Sequence, residues 1–256
     1  MAKKKIKTVT VKRKSKGKSK LPFKTFIVSG LILALCVITY LFYNQDKKII
    51  KRLHVIESIP PGFPSFGIDV SHHQGEIDWE QLLRKEHYDS IIQFVYCKAT
   101  EGSDHIDSKW VHNRLILQKL GIPNGAYHFF STKTEPRPQA VHFLNQWKKS
   151  DFDLPPVLDV ESEGFSDEDL IAKMKIWLHE VEDKTGMRPV IYTSLNFFET
   201  KFMNHFKDYK FWIAAYSRKP AFIDDSRIIH WQYSESGELP GINEKVDFNV
   251  SKISYR

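Results

Sequence analysis

The chain has 256 residues, of which 41% are hydrophobic and 27% are charged, proportions that are ordinary for a globular protein. Its formal net charge is +7, but residues 1–52 hold 15 Lys and Arg against a single acid, Asp46, which leaves −7 for the rest of the chain. The basic character therefore belongs to one terminal segment, and the acidic remainder argues against a nucleic-acid-binding domain. The two Cys residues, Cys36 and Cys97, lie in very different contexts, so no disulfide framework is expected.

The first segment of the chain has the pattern of a membrane anchor. Residues 1–24 carry eleven Lys and Arg and no acid, and 18 uncharged residues follow from Phe26 to Tyr43. Such a run can span a bilayer as a helix, and the basic excess before it predicts a cytoplasmic N-terminus with the later residues outside the membrane. We predict a basic cytoplasmic arm over 1–24 and a transmembrane signal-anchor helix over 25–43. Cleavage of this segment as a signal peptide, giving a secreted protein, is the alternative.

A stalk is predicted over residues 44–65. Its end, Ile59-Pro60-Pro61-Gly62-Phe63-Pro64, is stiff and non-helical because each proline fixes its own backbone and lacks an N–H group. Residues 66–256 then form the main domain.

In the main domain, segments with strand character alternate with segments with helix character. Strands are predicted at 66–71, 91–98, 123–130, the run that ends in Asp159-Val160-Glu161, 189–193, 211–215, 228–233 and 246–250. Helices are predicted at 78–86, 108–120, 138–149, 167–184 and 197–205. Eight strands with helices after the first five predict an α/β fold, a TIM-like barrel with a simplified last third. In such barrels the chemistry lies at the C-terminal ends of the strands.

The stretch Leu154–Glu161 ends in two acids one residue apart. On a strand, Val157, Asp159 and Glu161 share one face, with the two carboxylates roughly 6–7 Å apart at Cβ. Close carboxylates make each other costlier to ionise, so one tends to keep its proton near neutral pH. One acid beside one base or electrostatic stabiliser is what cleavage of a glycosidic bond requires. Further candidates at predicted strand ends are Asp69, Asp247, Tyr127, Tyr192 and Trp231.

Eight short motifs follow one another between about Phe66 and Val250. They are Gly67–Gly75 with Ile77–Trp79, Lys98–Gly102, Gly125–Phe129, Leu158–Glu161, Ile191–Thr193, Trp212–Ala214, Trp231–Tyr233 and Val246–Asn249. In this order they resemble glycoside hydrolase family 25, the muramidases often called Chalaropsis-type lysozymes. The resemblance implies a (β/α)5β3 barrel. It also implies hydrolysis of the β-1,4 bond between N-acetylmuramic acid and N-acetylglucosamine in peptidoglycan.

The resemblance also assigns roles to residues. Glu161 resembles the general acid and Asp159 its partner, while Asp69 and Asp247 resemble two further acids that line the groove. Tyr192 is expected to hydrogen-bond near the N-acetyl group and Trp231 to stack on a sugar face, with Tyr127 and Gln232 as further substrate-binding residues. No metal or cofactor is required.

Two questions stay open from the sequence. Asp159 acts either as a direct nucleophile or by orienting the substrate's own N-acetyl group, whose oxygen then attacks, and the D-x-E spacing favours the second route. The domain is expected to act on peptidoglycan glycan strands in cell-wall remodelling, tethered to the membrane. The alternatives are a cell-wall-binding protein without catalysis and a hydrolase of another amino-sugar polymer.

Overall fold

A computed structural model describes residues 23–83, 91–149, 154–162, 164, 166–216, 219–220 and 223–255. The chain divides into two compact units, Met1–Ile50 and Lys51–Arg256. Apart from residues 23 and 24, the predicted basic arm lies outside the described residues. The same holds for the last part of the helix predicted at 78–86.

The first helix, α1 (Phe23–Ser58), contains the predicted anchor. Its segment Ile27–Lys47 has a mean hydropathy of 2.0 over its most apolar window, and its length and composition suffice to cross a membrane. The helix continues to Ser58, so most of the segment predicted as a stalk is helical, whereas the proline-rich end is not. Within the second unit, Val55 is buried against the core of the main domain.

The strands of the main domain begin soon after the prolines. They are β1 (Ser65–Val70), β2 (Ile92–Glu101), β3 (His105–Ile106), β4 (Asn124–Phe129), β5 (Val157–Val160), β6 (Val190–Ser194), β7 (Lys210–Ala214), β8 (Ile228–Gly237) and β9 (Val246–Ser251). The further helices are α2 (Trp79–Leu82), α3 (Trp110–Lys119), α4 (Pro136–Gln146), α5 (Asp167–Thr185) and α6 (Leu195–Phe197), with a 3-10 turn at His72–Gln74 and a π-helical turn at Phe198–Phe202.

Eight of these strands close into a barrel. The order is β1-β9-β8-β7-β6-β5-β4-β2, with β1 pairing back onto β2 and the short β3 added at the edge of β2. Neighbours are parallel from β1 through β2, β4, β5, β6 and β7 to β8, while β9 runs antiparallel to both β8 and β1. The predicted barrel is therefore confirmed.

The helix boundaries follow from local chemistry. Ser166 accepts a hydrogen bond from Asp169 N and caps α5, which ends where Gly186 takes the left-handed conformation at φ 68°. Asp78 caps α2 in the same way, as its position before the helix predicts. The helix predicted at 197–205 is shorter and widens into the π-helical turn, in which Phe198 and Phe202 are both buried.

Alternation along the strands divides the core into two layers. Residues such as Ile68 and Leu158 point outward and pack under the helices, whereas Phe94, Tyr96 and Val157 fill the barrel. The inner aromatic rings need small neighbours: a Cβ atom added at Gly125 would lie 2.2 Å from Tyr96 Cε1. Side chains therefore fill the barrel interior at the N-terminal ends of the parallel strands, and a cavity remains at their C-terminal ends.

Candidate active site

A cavity of about 180 Å³ opens at the C-terminal ends of the parallel strands. Every barrel strand contributes at least one side chain to it. These are Asp69 of β1, Lys98 of β2, Tyr127 of β4, Asp159 of β5, Tyr192 of β6, Trp212 of β7, Gln232 of β8 and Asp247 of β9. Glu161, just beyond β5, completes the lining together with Ser71, His73, Phe129 and Val157.

The four acids predicted from the sequence therefore meet in one cavity, together with Tyr127, Tyr192 and Gln232. Their strands bring them together because parallel neighbours in a barrel end at the same face. Val157, Asp159 and Glu161 share the inner face of their strand, whereas Leu158 and Val160 pack outward, as the alternation predicts.

A hydrogen-bond network fixes the floor of the cavity around Asp69. Asp69 Oδ2 accepts from Gln232 Nε2 at 2.9 Å and from Asn249 Nδ2 at 2.7 Å. Asn249 is held in turn by Trp212, whose Nε1 donates to Asn249 Oδ1 at 2.8 Å. These side chains are buried, so the network positions the Asp69 carboxylate with little freedom.

Asp247 and Asp69 form a hydrogen-bonded carboxyl pair. Burial, followed by the Asp69 charge, raises the pKa of Asp247 to about 9. Burial also raises the pKa of Asp69, but its hydrogen bonds oppose this and limit the pKa to about 6. Asp247 is therefore the protonated partner at neutral pH, and its carboxyl O–H donates a hydrogen bond to the Asp69 carboxylate.

Asp159 and Glu161 differ in their surroundings although only one residue separates them. Asp159 is 7% exposed, and burial, together with the nearby Glu161 and Asp69 charges, raises its pKa well above the usual range. Its Oδ1 atom is buried without a hydrogen-bond partner among the described residues. Glu161 is exposed at the rim; partial burial raises its pKa, while the nearby Tyr192 hydroxyl and the Lys98 charge oppose the rise.

Lys98 is the positive charge of the cavity. Its Nζ lies 2.7 Å from Glu101 Oε2 and 5.0 Å from the centre of the Phe129 ring. Its charge lowers the pKa of both Asp159 and Glu161, against the effect of burial.

Trp231, predicted to stack on a sugar face, is not among the residues that line this cavity. Trp231 precedes the inward-facing Gln232 on β8, so its side chain points to the opposite face of the strand. Its Nε1 donates to Ala215 O at 2.8 Å and its ring packs against Phe63. Trp212 occupies the cavity instead.

Tyr216 was not predicted as a site residue. It lies just beyond β7 and is 46% exposed, and its hydroxyl donates to Gln232 Oε1 at 2.7 Å. Trp212 could have been predicted as a site residue, since it belongs to the family motif Trp212–Ala214 and lies on a strand. Tyr216 follows its strand in a loop and carries no periodic signal.

The two adjacent histidines contact different groups. His73 lines the cavity, while His72 Nδ1 lies 2.7 Å from the buried Asp107. Among the residues that the structure describes, no group of three or more His, Cys, Asp or Glu side chains is arranged to hold a metal ion.

Comparison with known proteins places the chain in a family. The sequence model of Glycosyl hydrolases family 25 matches residues 68–242. YegX of Escherichia coli K12 is 37% identical over 75% of this chain and 71% of its own length. The autolytic lysozyme of Clostridium acetobutylicum is 29% identical over 72% of this chain, and the match spans 54% of that lysozyme.

A solved structure supports the same relationship. The family 25 glycosyl hydrolase of Bacillus anthracis superposes with a TM-score of 0.68 at 29% identity, covering 75% of this chain and 91% of that protein. The family motifs, the barrel and the cavity of four acids agree with one another. The chain belongs to glycosyl hydrolases family 25 and is a glycoside hydrolase.

Proposed function

We propose that this chain is an N-acetylmuramidase that cleaves the β-1,4 bond between N-acetylmuramic acid and N-acetylglucosamine in peptidoglycan. The observation that carries the proposal is the contrast between Asp159 and Glu161 at the end of β5, one buried and one at the rim. The autolytic lysozyme of Clostridium acetobutylicum supports the choice of substrate by its name.

Glu161 is the general acid in this mechanism. Its raised pKa favours the protonated form that a general acid needs, and its position at the rim lets it reach the oxygen between two sugars. It protonates that oxygen as the bond to the anomeric carbon breaks. As a carboxylate it then takes a proton from the water that attacks the same carbon.

Asp159 assists the substrate's N-acetyl group rather than attacking the sugar itself. Its buried, unpartnered Oδ1 offers an acceptor to the N–H of an acetamido group. The acetamido oxygen attacks the anomeric carbon, forming a cyclic oxazolinium intermediate that water opens with net retention. Asp69 and Asp247 hold the sugar or the attacking water. Tyr127, Tyr192 and Gln232 complete the substrate contacts.

The cellular setting of the proposal follows from the first segment. The apolar helix anchors the chain with its N-terminus in the cytoplasm and the barrel outside, where peptidoglycan lies. A tethered enzyme of this kind remodels the wall close to the membrane. Fractionation of cells should recover the full-length chain in membranes, with the barrel open to protease added outside. Recovery from the medium of a chain lacking residues 1–43 would overturn this part.

The test of activity uses the full-length chain in detergent with purified peptidoglycan. Products are reduced with borohydride, which marks new reducing ends, and are identified by mass spectrometry. We expect reduced N-acetylmuramic acid ends, lost in Glu161→Gln, and retained anomeric configuration by NMR. Reduced N-acetylglucosamine ends would replace muramidase by glucosaminidase activity, and binding without cleavage would favour a cell-wall-binding protein.

A further inference from the structure

A second cavity, of about 580 Å³, lies next to the first on the side of β6 and β7. The two share Glu161, so a polymer that passes the general acid enters both. We call this second space the side cavity; its polar lining includes Ser194, Asn196 and Glu235. These groups suit the hydroxyl and amide groups of a glycan.

Among the described residues that line the side cavity, Tyr216 is the one aromatic side chain. The residue is 46% exposed, and its ring belongs to no aromatic pair within the part of the chain that the structure describes. A flat, accessible ring at the wall of a polar groove is the surface on which the apolar face of a sugar packs. The ring is also anchored, because its hydroxyl donates to Gln232 Oε1 at 2.7 Å.

That hydroxyl connects the side cavity with the catalytic floor. Gln232 Oε1 also accepts from the Tyr192 hydroxyl at 2.8 Å, so two phenols determine the orientation of one buried amide. With its oxygen held this way, the amide turns Nε2 toward Asp69 Oδ2, 2.9 Å away. Tyr216 thus reaches Asp69 through a single intervening side chain.

We propose that Tyr216 has two roles, as the platform for a sugar beyond the bond that is cleaved and as the positioning residue that orients Gln232 toward Asp69. The inference rests on the proposed muramidase activity and specifies how the enzyme engages a longer glycan. A sugar bound in the side cavity then contacts Tyr216, the residue that orients the Gln232 amide toward Asp69. Long glycan strands gain both affinity and correct alignment from the same residue.

The two roles separate in two substitutions of the full-length chain. Tyr216→Phe keeps the ring and removes the hydroxyl, while Tyr216→Ala removes both. Tyr209→Phe is the matched control, since its hydroxyl contacts Glu182 on α5, away from the cavity. Substrates are a tetrasaccharide and an octasaccharide of the same glycan, read by kcat and KM, with thermal melting as the check on folding.

For Tyr216→Phe we expect kcat to fall by about two- to tenfold with KM unchanged, the loss of one hydrogen bond that acts on the transition state. For Tyr216→Ala we expect KM for the octasaccharide to rise by about tenfold or more, from loss of ring burial. The advantage of the octasaccharide over the tetrasaccharide in wild type should then disappear.

The outcomes distinguish the inference from the function on which it rests. If wild type cleaves both glycans and the Tyr216 variants behave like Tyr209→Phe, the inference is wrong and the proposed function stands. An unchanged kcat in Tyr216→Phe would remove the positioning role, and a retained length advantage in Tyr216→Ala would remove the platform. If wild type cleaves neither glycan, the proposed function and the inference fall together.

Discussion

The carboxyl group of Asp247 donates a hydrogen bond to Asp69, and the buried floor of the cavity is built around the acceptor. Gln232 and Asn249 donate to the same Asp69 carboxylate, which therefore collects three donors. The hydrogen bonds favour the ionised form of Asp69, and burial favours the protonated form of Asp247. The pair thus carries one negative charge over much of the range between their pKa values.

This pair makes a prediction about stability and pH. The pKa of Asp247 is about 9 in the folded protein against 3.8 as its ordinary value, so the folded state binds the proton more tightly. The stability contributed by this group is complete below pH 3.8 and is lost progressively as the pH rises toward 9. Asp247→Asn cannot ionise and should flatten this decline. Thermal melts at pH 5 and pH 8.5 should therefore show a melting temperature that falls less with pH in the variant. An equal fall in both proteins would contradict the assignment.

A second prediction concerns the route of the reaction. If the N-acetyl group attacks, a thiazoline mimic of the oxazolinium intermediate should inhibit the enzyme competitively, and Asp159→Ala should weaken its binding by about tenfold or more. Titration calorimetry measures both affinities. If Asp159 is the nucleophile, the mimic binds poorly, and azide should rescue Asp159→Ala with formation of a glycosyl azide.

The two tryptophans at the barrel rim form a matched pair. Trp212→Phe removes the donor to Asn249 Oδ1 and loosens the floor under Asp69, so kcat should fall by about two- to tenfold. Trp231→Phe removes a donor to Ala215 O outside the cavity, so it should lower stability by about 1 kcal/mol and leave kcat nearly unchanged. Kinetics on peptidoglycan together with chemical denaturation separates the two. A larger loss of kcat in Trp231→Phe would restore that residue to the substrate site.

The interior of the barrel gives a prediction about packing. Gly125→Ala brings a methyl group to 2.2 Å from the Tyr96 ring and should destabilise the domain by about 1–3 kcal/mol or more. Gly30→Ala is the control, because a Cβ atom there meets nothing within 4 Å and the residue lies in a helix. Denaturant unfolding of both variants measures the difference. Equal stabilities would show that the barrel interior relaxes around the added methyl group.

Much of this arrangement could be predicted from residue patterns. The acids at strand ends and the alternation of Val157, Asp159 and Glu161 led to the cavity because they depend on local geometry and on a barrel whose strands end together. The same alternation separates Trp231 from Gln232, because neighbouring side chains on a strand point to opposite faces and Gln232 points into the cavity. Tyr216 could not be predicted as a site residue, because it follows a strand in a loop and shows no periodic pattern. Its hydrogen bond to Gln232 joins segments that are separate in the sequence.

The end of α1 was also not predicted. Val55 lies in a segment whose proline-rich continuation indicates a stalk, yet it is buried in the core of the main domain. No periodicity within so short a stretch tells whether a helix end packs on a neighbour or stays in solvent. Tertiary contacts decide it, and they depend on residues as distant in sequence as Phe248, which lines the same cavity as Val55.

The order of the strands constrains when the barrel is able to form. β1 pairs with β9, and the backbone N–H of Tyr255 donates to Ser65 Oγ, so the first and last parts of the barrel complete each other. A chain that emerges from the ribosome in sequence order leaves β1 with an open edge until residues 246–251 have been made. Domains rich in such long-range pairings fold slowly and expose unpaired strands meanwhile. The barrel therefore closes only after its last strand has been synthesised.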